Sequence, residues 1–128
     1  MTNDTLATVL SKINNYEKRS KKECLVLSSK IIKETLKIMK EERYIAGFEE
    51  ITHAKKKYLK VKLLGKINNC NVIKPRFSVK VDEYEKYEKR YLPAKDFGII
   101  IVSTTKGFMT HKKAKENSLG GRLIAYCY

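Results

Sequence analysis

Ser103 and Lys106 stand three residues apart in the run S-T-T-K-G-F-M-T, Ser103 to Thr110. This is the S-x-x-K spacing by which a serine nucleophile meets an activating lysine in penicillin-recognising enzymes. The accompanying motifs S-D-N and K-T-G occur nowhere in the chain, so a serine hydrolase using Ser103 stands only as an alternative. A Walker-type phosphate loop fails as well, because G-x-x-x-x-G-K-[ST] is missing and the hydroxyls here precede the glycine. Two uses then remain for Ser103, Thr104 and Thr105. Hydroxyls at a strand end can satisfy free backbone groups. As donors and acceptors they can equally reach the base edges, 2′-hydroxyls and phosphates of RNA. Gly107 would remove a side chain where a sugar-phosphate backbone must come close. Three hydroxyls in a row exceed what one cap needs, which tips the balance toward a ligand.

The other reactive side chains point away from catalysis. His53 and His111, the only histidines, have no carboxylate or cysteine at a recognisable spacing, and are expected at the surface or in a supporting role. Glu41-Glu42 and Glu49-Glu50 lie among lysines, where a solvated face explains them better than an acid and base pair. Cys24, Cys70 and Cys127 form no C-x-x-C, and read as reduced, buried thiols of an intracellular protein. Neither a metal nor a cofactor is expected, and the chain is read as a non-enzyme.

The charge balance supplies the partner class. Lys and Arg number 28 against 14 Asp and Glu, a net charge of +14. The excess divides evenly about Leu64, +7 on each side, so it belongs to the folded body and not to a basic arm. A polyanion touched by that body, above all a nucleic acid, is the expected partner. Lysines of H-A-K-K-K-Y-L-K-V-K, Lys57 among them, and Lys74 and Arg76 of K-P-R would contribute phosphate contacts and little sequence information. No run approaches the roughly 18 apolar residues of a membrane span, and no signal sequence is recognisable, so a cytoplasmic protein without membrane contact is expected.

Elements to hold these residues can be read from periodicity. Leu6, Val9, Leu10 and Ile13 keep the i, i+3, i+4, i+7 spacing of an amphipathic helix, with Thr2 and Asn3 as caps and Asp4 in its first turn. E-C-L-V-L-S-S has the size of a buried strand, and Ser28 or Ser29 can cap a following helix with Ile32, Leu36 and Met39 at helical spacing. Leu59, Val61 and Leu63 alternate with Lys60 and Lys62 after a lysine-rich turn, which predicts a hairpin with one apolar and one basic face. Gly65 and the polar residues after it mark a lobe boundary, giving lobes 1–66 and 67–128. Beyond it, N-V-I-K-P-R-F-S-V-K-V is a strand broken near Pro75, as suits a sheet edge. D-E-Y-E-K-Y-E-K-R-Y-L-P reads as a helical turn or connector. F-G-I-I-I-V-S should be a central strand. Thr110 caps a helix of about three turns, which Gly120 and Gly121 stop, and R-L-I-A-Y-C-Y ends the chain as a strand. Gly121 would also permit close packing, or approach of RNA beside Arg122. Fold class is therefore α+β: an α-β-α-β-β lobe, then a mostly β lobe with a short helix.

The stretch L-P-A-K-D-F-G-I-I-I-V-S-T-T-K-G-F-M-T-H-K-K-A-K-E-N-S-L-G-G-R-L-I-A-Y-C-Y closely resembles the C-terminal region of the ribosomal small-subunit protein eight family, with its G-I-x-[IV]-x-S-T-[ST]-x-G-x-M-T core and its paired glycines. The first helix, the S-S-K at Ser28, Ser29 and Lys30, and I-M-K-E-E-R-Y-I-A-G-F-E are also similar to that family. Residues 67–95 look more like its archaeal and eukaryotic branch. The resemblance implies a primary rRNA-binding protein of the small subunit that recognises an irregular helix in the central domain of 16S rRNA, contacts neighbouring ribosomal proteins and assists assembly. It matches Ser103, Thr104, Thr105 and Gly107 to the family's RNA-contacting loop, and Ser29 and Lys30 to an N-terminal RNA-contacting turn. Lys106, Gly120, Gly121, Arg122 and Tyr126 complete the candidate RNA-binding set. Arg122 stands where bacterial members carry an acidic residue, so its role does not carry over. Some family members also repress their own operon by binding its mRNA, which gives the second expectation, an RNA-binding translational regulator.

Overall fold

The computed structural model describes residues 5–73, 77–94 and 97–128. The expected caps Thr2 and Asn3 and the first-turn Asp4 lie outside these residues, as do Lys74, Pro75 and Arg76. The chain is α+β and forms two compact units, Met1–Asn68 and Asn69–Tyr128.

In the first unit, helix α1 (Thr5–Lys18) buries Leu6, Val9, Leu10 and Ile13, the stripe its spacing requires. Strand β1 (Glu23–Leu27) leads to helix α2 (Lys30–Glu41), then to the antiparallel hairpin of β2 (Ile45–His53) and β3 (Lys56–Leu63). The sheet order is β1-β3-β2. Leu59, Val61 and Leu63 face the core, as alternation demands. The hairpin turn, Ala54 and Lys55, has both residues at positive φ (50° and 65°), the type I′ geometry whose twist matches paired strands. Two corrections arise here. Strand β1 has the size of a buried strand but lies at a sheet edge with one face covered, leaving Leu25 and Leu27 44% and 47% exposed. The basic face of β3 is interleaved with acids: Lys60 pairs with Glu23 (3.1 Å) and Lys62 with Glu49 (3.4 Å). Residues as far as Ile67 are tied to this unit, because the Glu17 carboxylate accepts the amides of Gly65 (3.2 Å) and Ile67 (3.1 Å).

The second unit is a sheet ordered β4-β8-β6-β7, with β5 also pairing β8. Its elements are β4 (Cys70–Val72), β5 (Ser78–Val79), a 3₁₀ turn (Val81–Glu83), helix α3 (Tyr84–Tyr91), β6 (Ile99–Thr104), β7 (Gly107–Thr110), helix α4 (His111–Glu116) and β8 (Gly121–Cys127). Residues 84–91 are more than the connector their charge suggests. Tyr84 and Tyr87 sit one turn apart and both enter the core with Ile100, Val102 and Leu123, while the charged residues cover the rest of α3. The Tyr84 hydroxyl donates to the Leu119 carbonyl (2.8 Å), which satisfies its polar end.

Helix α4 begins as expected, with Thr110 Oγ1 accepting the Lys113 amide (3.3 Å). It spans only six residues and is not stopped by glycine. Ser118 takes the left-handed conformation (φ 54°), while the Leu119 amide bonds the Ala114 carbonyl (2.8 Å) and the Ser118 amide bonds that of Lys115 (3.1 Å). Those two bonds are a Schellman motif built on serine. The paired glycines serve close packing instead. A Cβ on Gly120 would lie 2.7 Å from the Val79 carbonyl oxygen, and one on Gly121 only 2.3 Å from that of Ser103.

Candidate nucleic-acid interface

Ile99 to Val102 of β6 are all buried, so the backbone that delivers Ser103 and Thr104 to the surface is fixed along its length. Thr105 and Lys106 form the turn into β7, and Gly107 closes it at φ 105° with open space where a side chain would stand. Thr104 opposes Gly107 directly across this two-residue turn, and the strands continue from it in unbroken register. The glycine answers a backbone demand, since its α-carbon meets no neighbour.

The three hydroxyls divide by role. Thr104 Oγ1 donates to the Gly107 carbonyl (2.8 Å) and accepts the Lys106 amide (3.2 Å), so it holds the turn together. Those of Ser103 and Thr105 take no protein hydrogen-bond partner among the described residues. No hydrogen bond joins Ser103 to Lys106 among the described residues, so the S-x-x-K spacing does not become a nucleophile and base contact. Ser103 pairs across the sheet with Phe108 on β7 and with Arg122 on β8, and directly opposed residues share a face. Exposed Arg122 thus stands beside Ser103, with the half-buried Phe108 on its other side. Gly121 lets β8 approach the Ser103 backbone closely, while Gly120 meets β5. Neither glycine opens room for RNA at its missing side chain, because protein backbone already fills that position.

Tyr126 is not brought to this cluster. It opposes Ile100 and lies on the core face with it, its ring stacked on Tyr91 (5.4 Å) and Tyr128 (6.1 Å). Burial raises its phenol above the usual range, with the neighbouring Tyr128 hydroxyl adding to the effect.

The first unit holds a separate basic cluster. Ser29 caps α2, its hydroxyl accepting the Ile32 amide (3.3 Å), which puts Lys30 in the first turn. The Ser28 amide bonds the Lys57 carbonyl (3.1 Å), setting Lys57 beside this turn. Glu50 lies between Lys33 (2.8 Å) and Lys57 (3.7 Å), and the hydrogen bond from Lys33 holds its carboxyl below the usual range. Sequence reading missed Lys33, although it lies one helical turn after Lys30.

Of the two roles expected for a histidine here, His111 takes the supporting one, buried and with a carboxylate partner that no sequence spacing showed. Its Nδ1 accepts the Ile100 amide (3.1 Å) and its Nε2 lies 3.2 Å from Glu88, which also receives Lys115. With Nδ1 committed to a backbone amide, the ring braces α4 against β6 and has no lone pair to offer a substrate. Among the described residues no group of His, Cys, Asp or Glu could hold a metal, and no helix is long and apolar enough to cross a membrane.

The site is thus a rigid hairpin end carrying two open hydroxyls, with an arginine beside it, on a unit of strongly basic composition. The sequence model of the ribosomal protein S8 family matches residues 4–128, and the chain belongs to that family of structural, rRNA-binding proteins of the small ribosomal subunit.

Proposed function

We propose that the protein is a primary rRNA-binding constituent of the small subunit, recognising an irregular helix in the central domain of 16S rRNA early in assembly. The observation that carries this reading is the division of labour in the β6–β7 hairpin. Thr104 spends its hydroxyl on the turn, which presets Ser103 and Thr105 as donors and acceptors for an RNA edge. A preset edge discriminates shape, because ordering it costs nothing at the moment of binding. Arg122 and Lys106 add charge next to it, and Lys30, Lys57, Lys74 and Arg76 add salt-dependent affinity. Gly107 acts through the backbone of the turn, Gly120 and Gly121 through strand packing, and Tyr126 from within the aromatic stack. Ser29 contributes by holding the first turn of α2.

Footprinting of small-subunit rRNA with the purified protein tests this. Protection should concentrate at one irregular helix of the central domain and disappear with Thr105→Ala. Protection spread over unrelated duplexes would overturn it. The leader of the protein's own operon, added as competitor, tests whether an mRNA with the same helix shares the surface, and neighbouring small-subunit proteins should bind once the RNA is in place.

A further inference from the structure

Two of the three cysteines, placed far apart in the sequence, meet in the second unit. Cys70 on β4 is directly opposite Cys127 on β8. Asn69 and Tyr128, the next pair, exchange both backbone bonds (3.0 and 2.9 Å), so they form the hydrogen-bonded type of antiparallel pair. Alternation then makes Cys70 and Cys127 the non-hydrogen-bonded type, whose α-carbons stand about 4.5 Å apart with side chains close together. That separation falls at the near end of the range a disulfide spans, roughly 4.4–6.8 Å. Both side chains point to one face of the sheet and both are buried. Cys24, in the first unit, opposes Val61 and has no sulfur across the strand.

We propose that Cys70 and Cys127 are an oxidisable pair, closed by hydrogen peroxide into a cross-strand disulfide. Peroxide is the fitting oxidant because it is neutral and about the size of water, whereas a bulky disulfide would have to displace β4. One sulfur, deprotonated, attacks a peroxide oxygen; the O–O bond breaks, hydroxide leaves and is protonated to water, and a sulfenic acid remains. The second sulfur attacks the first, the S–O bond breaks, and the departing hydroxyl leaves as water with the second thiol's proton. Two thiols lose two electrons and two protons, and peroxide becomes two waters.

The pair lies on the first and last strands of its unit, so the bond would enclose nearly the whole of it. Native protein treated with peroxide should lose about 2 Da, the two hydrogens. Digestion should yield one cross-linked species joining the Cys70 and Cys127 peptides, reversed by dithiothreitol, absent in Cys70→Ser and retained in Cys24→Ser. The urea midpoint of the oxidised protein should rise. Sulfinic acid at either residue without a cross-link, a cross-link through Cys24, or thiols unchanged under conditions that oxidise the urea-unfolded chain would each overturn the proposal.

Discussion

Replacing Gly121 with alanine should damage stability and RNA binding together. The added Cβ would sit 2.3 Å from the Ser103 carbonyl oxygen, 2.9 Å from Val102 Cγ1 and 3.0 Å from the Ser103 carbonyl carbon. Relaxed contacts lie near 3.5 Å, so β8 and β6 must part by roughly 1 Å. Two of the three atoms belong to backbone, which cannot rotate away. Overpacking of this kind costs about 1–3 kcal/mol, and weakening one adjoining ladder bond adds about 1 kcal/mol. A total near 3 kcal/mol is a large share of the roughly 5–15 kcal/mol that holds a domain folded. Movement of Ser103 should also lower affinity for the cognate rRNA helix by about tenfold, or ~1.4 kcal/mol. Urea unfolding gives the first quantity and filter binding at fixed salt the second. Gly47→Ala is the matched control, since its Cβ would meet only Lys40 Cε at an ordinary 3.8 Å. If Gly121→Ala unfolds and binds like Gly47→Ala, the close approach of β8 is not what positions Ser103.

Thr105→Ala should cost about 1–3 kcal/mol of rRNA affinity with the urea midpoint unchanged, whereas Thr104→Ala should lower both; equal losses on unrelated duplex RNA would refute specific readout. Lys57→Ala should weaken all RNAs alike and reduce the salt slope by up to about one unit, and Lys60→Ala should do less because Glu23 holds that less exposed lysine more closely (3.1 Å) than Glu50 holds Lys57 (3.7 Å). The pH dependence of unfolding should report His111. Burial holds its pKa below the usual value, opposed in part by Glu88 and helped by Lys115 and Lys112, so the unfolded chain takes up a proton first. Its stabilising contribution is therefore whole above about pH 6.5 and lost as pH falls from there toward the lowered folded value. Thermal melts from pH 7.5 to 5.5 should show the loss, and His111→Asn should flatten it.

Much of this architecture was legible because it depends on spacing. The α1 stripe, the alternation of Leu59, Val61 and Leu63, and the apolar run of β6 each declare a buried face locally. What was hidden depends on partners distant in sequence. His111 and Glu88 meet only because α4 and α3 pack on the same sheet, and neither residue carries a local sign of the other. Tyr84 and Tyr87 keep helical spacing, but the charges between them disguise a core helix as a connector. Glycine preference at helix ends pointed to Gly120, whereas Ser118 takes that conformation and leaves both glycines to strand contacts. At the candidate site the residue types were readable from sequence. The separation of Thr104, which is engaged, from Ser103 and Thr105 needed the geometry of the turn.

The carboxylate of Glu17 reaches forward 48 and 50 residues to the amides of Gly65 and Ile67. On a chain synthesised from its N-terminus, α1 can form early but cannot be clasped until those amides exist. The first unit is therefore completed by its last residues, because its earliest helix gains this polar clasp only once they have been made. The second unit closes in the same manner, through the backbone pair of Asn69 and Tyr128. A chain halted just before Gly65 would hold every element of the first unit without this clasp, whereas one halted just before Tyr128 would hold those of the second without its last backbone pair.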